Sequence, residues 1–439
     1  LYIGKYSISL GDNRCIFTKN NKGFFFMPYQ NQTPRTRRFS ARDPYRQTRS
    51  FSGGGGGGYR GSGGGNRRGP KKDYIHPSKF VKVARPVDEA PYQSTNMFDD
   101  FNMNPMLKQA IQAKGFTSPS AIQDQAIPLG LQGKDVIGVA NTGTGKTIAF
   151  ALPILNRMME DKTAKALIVA PTRELAQQIE EERRSLCRGG GIYGALLIGG
   201  SSMGLQLRDL ERGARVVVGT PGRIMDHMQR GSLNLSDFTM VVLDEVDRML
   251  DMGFVNDVRT ILGELPEKRQ SFFFSATLDH RVRDLIQTFA PDAETVSVKT
   301  GDTAENVHQD IVAYDTSRDK IEQLHTILNK GEVEKAIIFD ETQRNVERLT
   351  RELKDRGFNA DELHGGKTQG QRKRALDRFK RNEVTILVAT DVAARGIDVK
   401  DITHVINYAT PQSYEDYVHR IGRAGRAGRV GYALTFVTE

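Results

Sequence analysis

Val136-Ile137-Gly138-Val139-Ala140-Asn141-Thr142-Gly143-Thr144-Gly145-Lys146-Thr147 runs from an apolar tetrad into a glycine-rich turn that closes on Lys-Thr. The tetrad reads as a buried strand and the turn as a phosphate-binding loop. Its glycines let successive backbone N–H groups turn toward one anion, and the N-terminus of the next helix adds its positive end. Lys146 supplies a point charge for β- and γ-phosphates, and the Thr147 hydroxyl is a ligand for Mg²⁺. The strict loop pattern opens on glycine, whereas this one opens on Ala140. A glycine-rich strand-to-helix turn that binds nothing would look similar, so a second segment has to decide.

That segment is Val241-Val242-Leu243-Asp244-Glu245-Val246-Asp247, about 100 residues downstream. It reads as a buried strand that ejects carboxylates at its C-terminal end, where open α/β sheets bind ligands. Asp244 is expected to hold the metal through water and Glu245 to orient the attacking water. Together the two segments describe a nucleotide-phosphate and magnesium site.

The rest of the composition is consistent with this. The 439 residues suffice for two or three domains, and 38% hydrophobic content fills ordinary cores. No stretch approaches 18 uninterrupted apolar residues, and the N-terminus lacks signal-peptide order. The expectation is a cytoplasmic protein without a membrane span. Cys15 and Cys187 form no metal spacing or disulfide framework and read as incidental thiols. The net charge of +10 is unevenly placed: residues 1–95 hold 18 Lys/Arg against 5 Asp/Glu, and the remainder 45 against 48. A basic tail of this kind suits a polyanion, nucleic acid being the commonest in a cell, although a solubilising linker has the same charge.

Residues 1–95 are expected to form a disordered basic tail. From Thr33 to Pro70 it is Arg, Gly, Ser and Asn around the hexaglycine Gly53 to Gly58. Residues 1–26 differ in character, and Met27 is the first methionine, which we read as the natural start. From Asn96 onward, short apolar runs alternate with amphipathic stretches. Strands are expected at 136–140, 166–170, 194–198, 216–219, 240–243 and 271–274, with helical spacing at Leu175, Ile179 and Leu186 and at Ile224, Met228 and Leu233. A second series covers 311–314, 336–339, 359–363, 385–389, 404–407 and 431–436. The prediction is an α/β chain of two doubly wound parallel sheets, at 96–298 and 307–439, joined by a polar linker at 299–306. Only the first has the Gly-Lys-Thr loop, so the second would complete the site across a cleft.

Other segments fall at the ends of these strands. Phe98 and Gly115-Phe116 to Gln123 lie upstream of the loop; a Gln amide matches the N6/N7 edge of adenine and an aromatic can stack on the ring. Pro171-Thr172-Arg173-Glu174-Leu175, Gly199-Gly200 and Thr220-Pro221-Gly222-Arg223 place hydroxyls, amides and guanidinium groups at one sheet edge, suited to a phosphodiester chain. Ala389-Thr390-Asp391 through Asp398 and His419-Arg420-Ile421-Gly422-Arg423 through Arg426 offer cations from the second domain.

In these motifs and their order the chain resembles the DEAD-box family of RNA helicases, within helicase superfamily 2, over about 340 residues from Phe98 onward. The resemblance implies two tandem RecA-like domains. It implies adenine recognition by Phe116 and Gln123, with Phe98 as the aromatic upstream of them on the nucleotide side, and phosphate binding by Thr142, Gly143, Thr144, Gly145, Lys146 and Thr147. Metal and water would be held by Asp244 and Glu245, with coupling of hydrolysis to strand separation through Asp247, Ser275 and Thr277. Asp398 would contact the ribose of ATP, and Arg423 and Arg426 would be arginine fingers. RNA-contact or adjoining positions are Arg173, Gly200, Thr220, Arg223, Thr342, Gly365, Gln369, Arg372 and Thr390. The acidic motif has Val246 where the family has Ala, Asn141 stands for a frequent Gln, and Ala424 for a frequent Thr; none removes a charge. The implied activity is RNA-stimulated ATP hydrolysis with Mg²⁺, coupled to local, non-processive unwinding by a monomeric core that grips phosphates and 2′-hydroxyls independently of sequence. An ATP-gated RNA clamp would use the same residues. A DNA translocase is disfavoured by the motif around Gln123.

Overall fold

The computed structural model describes residues 75–84, 92–141, 143–298, 306–394, 399, 401–425 and 429–438, and the backbone alone of 5–10, 13–20 and 23–28. The last three stretches are β1 (Lys5–Leu10), β2 (Asn13–Asn20) and β3 (Gly23–Pro28), an antiparallel meander in which Met27 pairs with Ile16. This sheet lies in the segment expected to be without structure. It belongs to a unit separate from the rest.

The first lobe is a seven-stranded sheet of β4 (Val136–Val139), β5 (Ala166–Val169), β6 (Gly194–Leu197), β7 (Val216–Gly219), β8 (Met240–Asp244), β9 (Gln270–Ser275) and β10 (Glu294–Ser297). All pairs are parallel, in the order β10-β4-β9-β8-β5-β7-β6. Alternation along the strands explains the layers. Ile168, Val218, Val242 and Phe272 face one apolar core, while Leu167, Val217, Val241 and Phe273 face the other. Burial on both faces is what continuous Val/Leu/Phe runs specify. β10 escapes a reading by hydrophobicity, because in Glu-Thr-Val-Ser only Val296 is buried. Leu233 joins the second core although its helix ends at Gln229.

The second lobe carries β11 (Val307–Tyr314), β12 (Ala336–Phe339), β13 (Ala360–Leu363), β14 (Ile386–Ala389), β15 (His404–Asn407) and β16 (Gly431–Thr438). They too are all parallel, in the order β11-β16-β15-β12-β14-β13. Most strand expectations agree to within a residue or two; β11 begins earlier than its apolar stretch suggests. The linker at 299–305 lies outside the described residues.

The expectation that the tail runs to residue 95 needs correction. Pro77–Phe80 forms a helical turn that places Phe80, 1% exposed, in the second lobe's core. Lys82 then pairs with Gln309 of β11 through reciprocal N–H···O=C bonds of 3.0 and 2.8 Å. Tyr92, Thr95 and Asn96 bond to Asp124 of the first lobe. Average composition failed here because one aromatic, contributing about 1.5–3 kcal/mol on full burial, is enough to dock a short polar segment.

Candidate functional site

In the first lobe's strand order β4, β9 and β8 are neighbours, so their C-terminal ends bring three motifs together: the phosphate loop, Ser275-Ala276-Thr277 and the acidic segment. The loop turns through Gly143 at φ 85° and Gly145 at φ 94°, left-handed values that favour glycine. A Cβ on Gly145 would also collide with the Gln123 amide. Lys146 opens the helix Lys146–Glu160, is buried, and donates from Nζ to the Ala140 carbonyl at 3.1 Å. Ala140 thus keeps the one function the loop needs from that position, its carbonyl. Thr144 Oγ1 donates to Asn141 O at 2.8 Å, and Thr147 is half-buried one residue after Lys146. Thr142 lies outside the described residues.

Asp244 ends β8, only 2% exposed. Burial pushes its carboxyl up to about 6; Lys146 pulls the other way, and Glu245 and Asp247 add repulsion. A buried carboxylate whose charge is only partly compensated, beside a lysine and a second acid, fits a divalent cation. Glu245 follows in the left-handed region at φ 54°, strained for a non-glycine residue, and donates its N–H to Asp244 Oδ1 at 3.0 Å. Val246 is fully buried in the second core, so its extra volume over alanine is accommodated by packing.

Asp247 is a clasp between strands. Its Oδ2 accepts from Ala276 N–H (3.1 Å), Thr277 N–H (3.0 Å) and Thr277 Oγ1 (3.2 Å), while its own N–H donates to Ser275 Oγ at 3.3 Å. The expected pairing of Asp247 with Ser275 and Thr277 is therefore present as geometry.

The adenine-side residues divide. Gln123, 5% exposed, accepts from Ser120 N–H at 2.9 Å and donates to Gly145 O at 3.1 Å, and Ser120 Oγ donates to Thr144 O at 2.7 Å. The Gln123 amide therefore holds the phosphate loop, a role that matching it to an adenine edge did not anticipate. Phe116 is 42% exposed and offers a ring face; Phe98 is buried, with ring centroids 6.5 Å from Phe116 and 6.1 Å from Phe101. Phe98 buttresses Phe116 and presents no open face itself.

On the other half of the same sheet edge, β5, β7 and β6 end in Thr172-Arg173, Thr220 and Gly199-Gly200. The Arg173 guanidinium lies against the diglycine: a Cβ on Gly200, at φ 78°, would fall 2.5 Å from its Nη1. Burial lowers the Arg173 pKa, and the nearby charges of Arg372 and Arg223 lower it further while Glu174 opposes them. Arg173 and Arg223 thus flank the Gly199–Ser201 turn, Arg223 donating from Nη1 to Ser201 O at 3.4 Å, while the Arg372 charge is matched by Glu174. In the second lobe Thr342, Gly365 and Thr390 follow the adjacent strands β12, β13 and β14. Thr342 Oγ1 caps its helix by accepting from Asn345 N–H at 3.2 Å.

Gln369 and Arg372 differ from expectation. Expected on the RNA track, both reach the first lobe's helix Arg173–Leu186: Arg372 Nε donates to Glu174 Oε1 at 2.7 Å with both side chains buried, and Gln369 Nε2 to Gln177 Oε1 at 3.0 Å. Lys373 and Glu181 add an exposed pair at 3.1 Å. Sequence reading named Glu174 only as part of a motif, and no local pattern could have paired residues 198 positions apart. Arg423 is 5% exposed and shares a small cleft with Arg248 of the first lobe and with Asp391, Asp416, His419 and Arg420. Arg420, not singled out from sequence, anchors that corner: it donates to both Asp391 carboxylate oxygens at 2.5 and 2.7 Å, to Asn407 Oδ1 and to Ala409 O. Asp398 and Arg426 lie outside the described residues. No helix among the described residues is long and apolar enough to cross a membrane.

Two parallel-sheet lobes, one phosphate loop on the first, and a cleft that Arg248 of the first lobe shares with Arg420 and Arg423 of the second are the arrangement of a two-lobed nucleotide-binding protein of the helicase type. Residues 120–285 match the DEAD/DEAH box helicase family model and residues 319–428 the helicase conserved C-terminal domain. The chain is 42% identical over 346 residues to the DEAD-box ATP-dependent RNA helicase CshA of Bacillus subtilis, covering 78% of this chain and 70% of that protein. With the Streptococcus pneumoniae TIGR4 protein of that name it shares 45% identity over 342 residues, 77% of this chain and 65% of the relative. Among solved structures, Saccharomyces cerevisiae Dbp5 bound to RNA and ADP BeF3 superposes with a TM-score of 0.68 at 33% identity, covering 78% of this chain and 89% of that one. The chain belongs to the DEAD-box helicase family. It spans about two thirds of the length of the CshA proteins it matches.

Proposed function

We propose that this chain is an ATP-dependent RNA helicase: an RNA-stimulated ATPase that opens short duplexes locally, without processive travel and without sequence preference. The observation that carries the reading is the pair of guanidinium groups, Arg173 and Arg223, at the Gly199–Ser201 turn on the same sheet edge where β8 ends in Asp244. Lys146, moved from the Ala140 carbonyl, would meet the β- and γ-phosphates, with the backbone of Gly143 to Gly145 around them. Thr147 and Asp244 would hold Mg²⁺, which neutralises phosphate charge when bound. Glu245 would orient the attacking water, and Arg423 and Arg426 would face the phosphates from the second lobe. Phe116 would stack on the adenine and Asp398 contact the ribose. Asp247 transmits the state of β8 to β9. Arg173, Arg223, Thr220 and Gly200, with Thr342, Gly365 and Thr390, would grip phosphates and 2′-hydroxyls, favouring RNA over DNA. Gln369 and Arg372 would adjoin that track by holding the second lobe to the first. The core acts as a monomer, in the cytoplasm. The test is ATP turnover with no nucleic acid, with RNA and with DNA over a salt series, alongside strand displacement from a short RNA duplex. Turnover that ignores RNA, or answers to DNA equally, refutes the assignment.

A further inference from the structure

The Gly199–Ser201 turn, flanked by Arg173 and Arg223, is held by two buried polar side chains that belong to none of the motifs. Gln206, 3% exposed on the helix Met203–Glu211, donates from Nε2 to the carbonyls on either side of the diglycine, Ile198 O at 3.0 Å and Ser201 O at 3.4 Å. A carbonyl can only accept, so the amide orientation is settled and Oε1 remains as an acceptor. His227 Nε2 lies 3.1 Å from that oxygen and must therefore carry the proton. The ring is fully buried, and burial holds its pKa below the usual histidine value, with Arg223 and Arg230 acting in the same direction against Asp226. At neutral pH the imidazole is uncharged, and its Nδ1 faces the Ser232 hydroxyl at 2.9 Å.

His227 stands one turn after Arg223 on the helix Pro221–Gln229. Arg223 Nη1 donates to the same Ser201 carbonyl that Gln206 holds, at 3.4 Å. That helix is thus joined to the turn twice, once by Arg223 itself and once by His227 through Gln206. A trans peptide sets its C=O and N–H on opposite sides, so fixing the Ile198 and Ser201 carbonyls turns the Gly199 and Ser202 N–H groups away from Gln206. Gly200, at φ 78°, supplies the bend between them. Apolar side chains would fill the same space. An amide and an imidazole are buried at low cost only when paired, and here the pairing ends on the two carbonyls that set the turn.

We propose that Gln206 and His227 are positioning residues for the RNA grip: on the RNA-binding reading of this sheet edge, they lock the Gly199–Ser201 turn to the helix that carries Arg223, so that backbone donors and guanidinium meet a phosphate already in place. Neither side chain touches RNA. Without the couple the turn and its arginines remain, but their relative placement has to be ordered on binding, which weakens affinity and leaves the phosphate chemistry at Asp244 as it was.

The test reads ATP turnover against RNA concentration in the full chain. Gln206→Met keeps the length of the side chain and removes the amide. It should raise the RNA concentration for half-stimulation about 5- to 10-fold, the worth of about one net hydrogen bond, without lowering maximal turnover. His227→Gln places an N–H near the position of Nε2 and should stay near wild type, whereas His227→Asn places it near Nδ1 and should shift as Gln206→Met does. A double-mutant cycle separates positioning from packing: Gln206→Met should shift half-stimulation less in an Arg223→Ala background, where the guanidinium it helps to place is gone. Thermal melting checks folding, and if Gln206→Met unfolds, the two His227 variants decide. Unchanged half-stimulation in folded Gln206→Met, equal shifts in the two His227 variants, or additive shifts in the cycle overturn the proposal. A wild type whose turnover ignores RNA refutes the helicase reading, whereas an RNA-stimulated wild type with indifferent variants refutes only the positioning couple.

Discussion

Asp244→Asn should make the ligand-free protein more stable and catalytically dead, with a gain that grows with pH. The Asp244 carboxyl titrates near 3.8 in the unfolded chain and is pushed up to about 6 by burial in the fold. Between these values the folded state holds a proton that the unfolded state has released. Stability associated with this group is therefore full below pH 3.8, is lost as pH rises toward 6, and stays constant above. Two pH units at 1.36 kcal/mol each make the cost about 3 kcal/mol at pH 7.5 and about 1.5 kcal/mol at pH 5. Asn keeps the shape, can accept the Glu245 N–H, and carries no charge to desolvate. The gap between variant and wild type should roughly double between those two pH values. The chain contains no Trp, so urea unfolding is best followed by far-ultraviolet circular dichroism. An equal gap at both pH values, or a variant less stable than wild type at pH 7.5, refutes the claim that the buried Asp244 charge is only partly compensated. Added Mg²⁺ and ATP should stabilise wild type and leave the variant unmoved.

Glu245→Gln should retain ATP and RNA while slowing hydrolysis, since Asp244 survives and the water-orienting carboxylate does not; an RNA complex that dissociates in ATP as fast as wild type argues against it. Lys146→Ala should abolish turnover and push the Asp244 carboxyl above about 6, because its opposing charge is removed; wild-type turnover would sink the loop assignment. Glu174→Gln leaves the Arg372 charge buried and unmatched, which costs the packed arrangement about 3–5 kcal/mol, so small-angle scattering should show the ligand-free lobes separating, with RNA partly restoring contact. Deleting residues 1–70 removes 13 Lys/Arg and 2 Asp/Glu but spares Phe80. RNA affinity should fall and its salt dependence flatten by about 0.7 in log–log slope for each phosphate the tail no longer neutralises, and an unchanged slope would make the tail a linker only.

What the sequence made legible was whatever depends on short-range pattern. β5, β7 and β8 are continuous apolar runs, and a parallel sheet buried on both faces is the structure such runs can satisfy. The phosphate loop and Asp244–Glu245 were legible because backbone approach and metal chemistry restrict which residue types can stand there. What escaped depends on partners distant along the chain. Nothing near Gln369 or Arg372 announces that their partners are Gln177 and Glu174, nor does the sequence around Gln123 say that its amide is occupied by Ser120 and Gly145. The docked segment escaped for another reason. Of the apolar residues between 75 and 84, Ile75 and Phe80 pack against the core while Val81 and Val83 stay exposed, and averages over a window discard single anchors.

Strand order accounts for how the two halves of the first lobe act on each other. β8, which ends in Asp244, lies beside β9 on one flank and β5 on the other. A rearrangement of Asp244–Glu245 therefore has one strand spacing, about 4.8 Å, to cross in either direction. Toward β9 the route is the Asp247 clasp on Ala276 and Thr277. Toward β5 it is Thr172, which caps the helix Arg173–Leu186 by accepting the Leu175 N–H at 3.2 Å. That helix carries Arg173 toward the diglycine and Glu174 toward Arg372. Phosphate chemistry, the arginine pair and the lobe contact thus share one rigid helix and two neighbouring strands. Under the proposed function, a change at the acidic segment would reach the grip on a polyanion through the short turns that follow β5 and β9.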